Sequence, residues 1–487
     1  MNGPKPGDAP VPGIFATPTL ALGTISVALL ILVFLRCFSI YEINYNEGWN
    51  AWWQSVALRG GSLYPNSGAL IFDNYPPLSF LMVSNLARVS GLDVVVAGRI
   101  LSLVALIFVI IFSGGVAFQL AGRSTPTSIY CMILTSIVFC SAFTIYAGMN
   151  DPQLLSQAFM MAALFVYVRY GAFDVALTGV VALLIVGGLV KHSGISIPLA
   201  IALDCMLTSR RRGLIFVGAS VAGLLAAGAW LHYVSDGHIW SALSSPRQYS
   251  FAASLSLLWD TVRPMRSFAM VAALGFLILL PKMKYRLLVI YGIVGLCFAL
   301  VLGGGSGTYV NMYFDAAIAG CIAIPLALVE ADAAGWLTRI PSARMAYVAV
   351  VAFAAFGSLP WSWAQIRQLR PDTIAVRDTV EDIAWLRARP GKALCDSMLL
   401  CFWAGKEILL DPFNTGQAIA TGAIPASRLQ QLTEDKDLHT IEKNIVPPSS
   451  RASGSNSGVV GTRPAADPRF QRDRESSLHV FWSTKTD

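Results

Sequence analysis

The stretch YNEGWNAWWQSVALRGGSLYP, residues 45–65, directly follows a first apolar run at about residues 20–40 and decides how the chain is organised. Trp49, Trp52, Trp53, Val56 and Ala57 recur at i, i+3, i+4, i+7 and i+8, one apolar face of a helix, while Glu47, Asn50 and Gln54 fall off it. Asn46 is the expected N-cap, with Glu47 in the first turn. A short helix with a tryptophan face suits the membrane interface, its rings at headgroup depth. Downstream, NYPPLSFL at residues 74–81 cannot begin as regular helix, because Pro76 and Pro77 force extended backbone. The apolar run that follows, to about Val89, is too short to cross a bilayer and is interrupted by Arg88. Two interface helices tied by a loop make a platform rather than a connector. Glu47 then has two readings: a carboxylate that complements the helix dipole, worth under about 1 kcal/mol, or an acid presented to a ligand at the membrane surface.

A platform of this kind needs spans around it, and the composition supplies them. Of 487 residues, 55% are hydrophobic and 13% charged, and the mean hydropathy is +0.60. A soluble chain carries about a quarter charged residues. Apolar runs near the length of about 20 residues that crosses a bilayer recur at 20–40, 97–120, 127–147, 153–170, 174–190, 194–208, 214–234, 267–281, 286–302, 310–329 and 345–364. The expected fold class is therefore all-α, a polytopic membrane protein of about 11 transmembrane helices with interface helices in its first outer loop. The first run is too long for a signal-peptide core and lacks a clear cleavage site, so it reads as an uncleaved span.

The net charge of +7 follows from lysine and arginine gathering in cytoplasmic loops, and no motif points to nucleic acid as a partner. Lys5, Arg123, Arg169, Arg210 to Arg212, Lys282, Lys284, Arg286, Arg339 and Arg344 share one side if the N-terminus is cytoplasmic. That places residues 41–96, the Asn150-Asp151 junction, a 235–266 loop, the glycine run at 303–307 and everything after 365 on the outer side. Arg59, Arg88, Arg99, Lys191, His192, Arg247, Arg263 and Arg266 lie there against the usual bias, which suits an anionic ligand or side chains snorkelling to headgroups.

After about residue 365 the hydrophobicity falls. DTVEDIAWLRARPG reads as an amphipathic helix and KALCDSMLLCFWAGKEILLDPFNTG as one or two short strands with turns, a small outward-facing C-terminal domain over 365–446. Residues 447–487, with PPSSRASGSNSG inside them, are expected to be a disordered tail. Six of the eight cysteines lie in or beside apolar runs without metal-ligand spacing; whether Cys395 and Cys401 pair depends on an oxidising compartment.

Three further segments carry polar residues. In AGMNDPQLLSQAF, Asp151 before Pro152 fits an ordinary helix start, yet it lies on the same membrane face as Glu47. In LVKHSGISIPLA, Lys191 either snorkels or neutralises a phosphate, and His192 either titrates near neutral pH or serves as a hydrogen-bonded boundary residue. GGGSGTYVNMYFDAAI lacks the Lys-Ser/Thr of a P-loop. Its Asn311 and Asp315, at i and i+4, are expected to line a cavity rather than only to join helices.

The order of these features resembles a known class. An acid soon after the first span (Glu47), an interface helix, PPL at the start of a second, an acid opening the fourth span (Asp151) and Lys191 after the fifth look like the GT-C membrane glycosyltransferases that use polyprenyl-phosphate sugars. Within them the likeness is to the broad bacterial group of protein O-mannosyltransferases and aminoarabinose-to-lipid A transferases, over roughly residues 20–365. The resemblance implies inverting transfer of a sugar from a polyprenyl-phosphate donor to an acceptor hydroxyl at the outer face of the bacterial cytoplasmic (inner) membrane, the C-terminal domain being periplasmic. It implies Glu47 as general base, Asp151 as the second acid, and Lys191 with His192, Arg99, Arg247, Arg263 and Arg266 around the donor phosphate. Tyr75, Asn311 and Asp315 would line the cavity. The chain departs from the pattern at Asn46-Glu47, where the family often has Asp-Glu, and at Tyr75, where the aminoarabinose transferases have a lysine before Pro-Pro. The sugar and the acceptor, whether lipid, glycan or protein, therefore stay open. No cofactor is called for; a divalent metal stays open, with Glu47 and Asp151 a sparse ligand set. Two rivals remain: a lipid-linked polysaccharide polymerase or ligase leaning on the outer arginines, and a lipid or glycan transporter, whose paired half-repeats are not found.

Overall fold

The computed structural model describes residues 16–64, 70–244, 246–337, 343–370, 372–445 and 467–485. It is mostly helical, at 69%. In chain order the helices are α1 (Ala16–Cys37), α2 (Asn46–Leu58), α3 (Leu78–Ser90), α4 (Val94–Leu120), α5 (Thr125–Ser141), α6 (Gln153–Tyr170), α7 (Asp174–Val190), α8 (Ser196–Thr208), α9 (Arg210–Val234) and α10 (Ile239–Leu243). Then follow α11 (Phe251–Val262), α12 (Arg266–Leu279), α13 (Arg286–Leu302), α14 (Phe314–Ala333), α15 (Ala343–Phe356), α16 (Leu359–Arg367), α17 (Thr373–Ala388), α18 (Met398–Trp403), α19 (Pro412–Ala420) and α20 (Ser427–Thr433). Among the described residues, six helical runs are long and apolar enough to cross a membrane: Pro18–Cys37, Val94–Leu120, Arg210–Val234, Phe251–Leu279, Met283–Leu302 and Val310–Ala333. Shorter apolar helices, α5, α7 and α8 among them, pack beside these. The chain is an integral membrane protein.

The bundle centres on α4, α5, α6 and α14, where Phe139, Phe143, Tyr146 and Phe314 pack edge to face or tilted with centroids 4.9–5.3 Å apart. Residues 235–266, read as a loop from the sequence, contain α10, α11 and a turn of 3-10 helix at Arg263–Met265 that runs into α12. Ser250 caps α11 by accepting from Ala253 N, and Phe251, Leu255 and Trp259 stand exposed at i, i+4 and i+8. The Arg263-Pro264 break hid this helix by dividing its apolar run from that of α12.

Both platform helices form, with two corrections. Asn46 is the first helical residue rather than the cap; Asn44 does the capping work, its Oδ1 accepting from Asn46 N at 3.1 Å. The tryptophan face turns inward, not to headgroups. Trp49 and Trp53 are buried and both donate their indole N–H to Phe72 O, at 2.8 and 3.2 Å, while α18 covers the helix. An indole that finds a carbonyl inside the protein has no need of the wet interface.

The C-terminal part holds a four-stranded sheet in the order β1-β2-β4-β3, from β1 (Lys392–Cys395), β2 (Leu438–Asn444), β3 (Phe470–Glu475) and β4 (His479–Thr484). β1 and β2 are parallel, and β4 pairs antiparallel with both β2 and β3. Two of its strands come from the segment expected to be a disordered tail, so residues 467–485 are folded; 447–466 lie outside the described residues. The alternation in HVFWST, with His479, Phe481 and Ser483 buried, is a half-buried strand pattern that the neighbouring Ser/Pro-rich composition obscured. Cys395 and Cys401 form a disulfide that ties β1 to α18.

Candidate active site

Glu47 and Arg99 form a fully buried ion pair at the end of the bundle that carries the platform helices. Glu47 sits in the first turn of α2 and Arg99 one turn and a half into α4, and neither side chain is exposed. Arg99 Nε donates to Glu47 Oε1 at 2.8 Å and Nη2 to Oε2 at 2.6 Å, a bidentate pair. Glu47 also accepts from Ile43 N at 2.9 Å and Asn150 N at 3.0 Å. A carboxylate offers about four acceptor positions, so this one is fully engaged. Arg99 spends further donors on Ser39 O and Tyr41 O, at 2.6 and 2.7 Å. The pair therefore pins the 38–45 loop and the Asn150 junction to α2 and α4. Neither the expected open base at Glu47 nor the expected phosphate ligand at Arg99 corresponds to this geometry.

The neighbouring Asn150 was not singled out from the sequence. Its side-chain amide exchanges two hydrogen bonds with that of Gln54, at 2.7 and 2.8 Å. A Cβ on Gly98 would lie 1.9 Å from Asn150 Oδ1, so α4 admits this amide pair only with glycine there.

One residue further on lies a second buried acid. Asp151 Oδ1 accepts from Gln153 N at 2.8 Å, starting α6, and from Lys191 Nζ at 3.2 Å. Asp151 Oδ2 is enclosed and has no hydrogen-bond partner among the described residues. Lys191, at the end of α7, is itself buried, its Nζ 4.7 Å from the centre of the Tyr75 ring. Tyr75 stands edge-on to Trp49 and to His192, with centroids 4.9 and 6.2 Å away. The two prolines after Tyr75 hold the extended segment that brings this ring from the platform loop to α7. Tyr75 thus stands between Trp49 of the platform helix and the buried lysine.

The remaining expected residues divide. The His192 imidazole is pushed down to about 4, by desolvation and by the cations of Lys191 and Arg247. It is neutral near pH 7 and brings no positive charge to a phosphate. Arg247 lies at the outer rim, its guanidinium 5.6 Å from the Phe413 ring centre. Arg263 and Arg266 stand exposed at the α11–α12 junction, which packs on α16 rather than on the Asp151–Lys191 corner. Asn311 precedes α14 in a 3-10 turn, accepting from Tyr146 OH at 2.9 Å and donating to Gln153 Oε1 at 3.0 Å. Asp315 Oδ1 accepts from Gln157 Nε2 and Tyr291 OH, at 2.7 and 2.8 Å. Both join helices, with Asn311 also bordering the site through Gln153. Among the described residues no group of three or more His, Cys, Asp or Glu side chains is arranged to hold a metal ion, and Glu47 and Asp151 are drawn to different cations.

A helical membrane bundle with an acid on an outer platform helix, an acid–lysine pair at its mouth and a small sheet domain beside the platform has the fold of the GT-C glycosyltransferases. The solved structures it resembles include ArnT from Cupriavidus metallidurans, in the apo state at TM-score 0.64 and bound to undecaprenyl phosphate at 0.61. Both are 13% identical and cover 95% of this chain and 98% of theirs. The archaeal oligosaccharyltransferase AglB from Archaeoglobus fulgidus, in complex with an inhibitory peptide and a dolichol-phosphate, matches at TM-score 0.53 and 11% identity, over 86% of this chain and 69% of its own. The arabinofuranosyltransferase AftD from Mycobacteria matches at 0.51 and 15%, over 96% of this chain and 42% of its own. At these identities the likeness is one of fold. No family model matches the sequence, and no curated protein matches it.

Proposed function

We propose that this chain transfers a sugar from a polyprenyl-phosphate carrier to an acceptor hydroxyl at the outer face of a bacterial inner membrane, inverting the sugar carbon in a single displacement. The observation that carries the reading is the Asp151–Lys191 corner, a buried carboxylate with one unpartnered oxygen beside a buried ammonium. The ArnT and AglB structures, with undecaprenyl phosphate and dolichol-phosphate, support a lipid-phosphate donor.

Asp151 Oδ2 takes the proton of the acceptor hydroxyl as its oxygen bonds to the sugar carbon. The bond from that carbon to the carrier phosphate breaks, and the electron pair leaves on the phosphate. Lys191 has three N–H donors and gives one to Asp151 and another to the Tyr75 hydroxyl, so the third meets the growing charge on the leaving phosphate. Arg247 adds a second cation at the rim. Glu47, the base that the order of motifs implies, is given a positioning role: through Arg99 and Asn150 N it fixes the backbone that carries Asp151. No step is routed through a metal.

About eleven crossings with the N-terminus inside and the C-terminal domain outside fit the basic clusters, and a disulfide at Cys395–Cys401 suits an oxidising compartment.

The test uses protein in lipid nanodiscs, a panel of polyprenyl-phosphate sugars and envelope extract as acceptor source, with donor consumption as readout. Wild type should consume one donor, and Asp151→Asn should lower turnover by about 100-fold or more while still binding it. Glu47→Gln should lower thermal stability together with activity. Loss of turnover in Glu47→Gln at unchanged melting temperature, with Asp151→Asn active, would return the base to Glu47. No donor consumed by wild type in the presence of the extract sinks the transferase reading.

A further inference from the structure

We infer that the C-terminal domain completes the donor-phosphate site by supplying Phe413 and Asn414 as positioning residues that hold Arg247 at the site's outer rim. The inference rests on the carrier-phosphate reading above.

Arg247 belongs to the segment between α10 and α11 and is fixed from outside that segment. Its Nη1 donates to Ser306 O at 3.2 Å and its Nη2 to Asn414 Oδ1 at 3.3 Å, with the guanidinium over the Phe413 ring. Among the described residues Arg247 enters no ion pair, unlike Arg99, Lys191 and Arg286, each on a carboxylate. Neutral oxygens and an aromatic face orient the guanidinium, and the nearby Asp411 carboxylate, which feels its charge, is taken up by Asn414 rather than by Arg247, which leaves the arginine able to attract an anion. The segment is stapled twice more. Gln248 N donates to Gln417 Oε1 of α19 at 3.2 Å, and Ser306 N to Gln248 O at 2.9 Å. The position of Arg247 relative to the site is given by Phe413, whose ring lies between the guanidinium and Tyr45, two residues ahead of Glu47.

Phe413 has no freedom of its own. Its ring meets that of Tyr45 at 5.9 Å on one side. On another it meets Gly307, where φ is +81° and a Cβ would lie 2.3 Å from the ring. α19 is tied to the platform loop through Asp411 N and Thr415 Oγ1, both donating to Leu70 O at 2.8 and 2.7 Å. Tyr45 ahead of the platform helix, the glycine run and the C-terminal domain thus meet on one ring, and that ring carries the cation.

The experiment measures binding of undecaprenyl phosphate to the full chain in nanodiscs. Phe413→Ala should weaken binding about five- to tenfold and flatten its salt dependence, as Arg247→Ala should. The double variant should be no weaker than Arg247→Ala alone, because Phe413 acts only through that arginine. Phe413→Tyr should bind like wild type, and Gly307→Ala, which displaces the ring while keeping it, should bind like Phe413→Ala. Wild-type affinity in both Phe413→Ala and Gly307→Ala, or losses that add fully in the double variant, overturns the inference while the carrier reading stands. Wild type that does not bind undecaprenyl phosphate overturns both.

Discussion

Glu47 and Asp151 differ in what reaches them, although each opens a helix at the same end of the bundle. Glu47 accepts four hydrogen bonds, two of them from an arginine 52 residues away, whereas one enclosed oxygen of Asp151 has no donor among the described residues. A buried ion pair is costly to break from one side, because the remaining charge is left unpaired. Glu47→Ala should therefore destabilise the protein by about 3–5 kcal/mol, and Glu47→Ala with Arg99→Met by less than Glu47→Ala alone. Urea or thermal unfolding in a mild detergent checks both; equal losses would mean that Arg99 finds another acid. The motif order in the sequence located both acids, but their occupancy depends on Arg99 and Lys191, residues whose partners no local pattern reveals.

The platform helix and the last two strands show how elements escape a local reading. The i, i+3, i+4 spacing of Trp49, Trp52 and Trp53 correctly marks one face of a helix, and says only that the face is covered, not by what. The carbonyl of Phe72 and α18 cover it here, where lipid was the expectation. β4 lies between β2 and β3, with Phe481 fully buried. Ending the chain before Pro447 should therefore remove an inner strand and unfold the sheet, seen as rapid proteolysis of residues 372–446, rather than trim a dispensable tail. A truncated chain as protease-resistant and active as wild type would show that β1 and β2 hold without their partners. Strand pairing is non-local, so the alternation in HVFWST is visible but its partner is not.

On the scale of the molecule, the C-terminal domain docks on the membrane part through buried acids. Glu442 Oε2 accepts from Ser397 N at 3.0 Å, Glu42 of the 38–45 loop reaches the same serine, and each glutamate keeps one enclosed oxygen without a partner among the described residues. Burial, then the charge of Glu47, pushes Glu42 up to about 7 against the pull of Ser397 and Arg99. Burial, then Asp396 and Glu42, pushes Glu442 well above the usual range, with Lys443 also near Asp396. In the docked form both keep their proton to higher pH than an exposed glutamate, which ionises near about 4.3, so docking binds protons. Docking should be strongest below about 4.3, weaken as pH rises toward about 7, and weaken further above it while Glu442 loses its proton. Hydrogen exchange across α2 and α18 from pH 5 to 8.5 should rise steeply in wild type and less in Glu442→Gln. Exchange that falls with pH, once corrected for its intrinsic rate, would contradict the assignment.

The sequence by itself determined that this is a helical membrane protein, that two short helices follow its first apolar run, and that the order of its acids and lysine resembles that of the GT-C class. Those facts rest on hydropathy, periodicity and proline positions, all properties of short segments. Only the tertiary structure decided that Glu47 is fully engaged while one buried Asp151 oxygen has no partner among the described residues, that Arg247 is held by the C-terminal domain, and that residues 467–485 complete a sheet. Each of these is a pairing across tens to hundreds of residues, set by how the helices and strands pack, and a chain read segment by segment carries no record of which polar group will meet which.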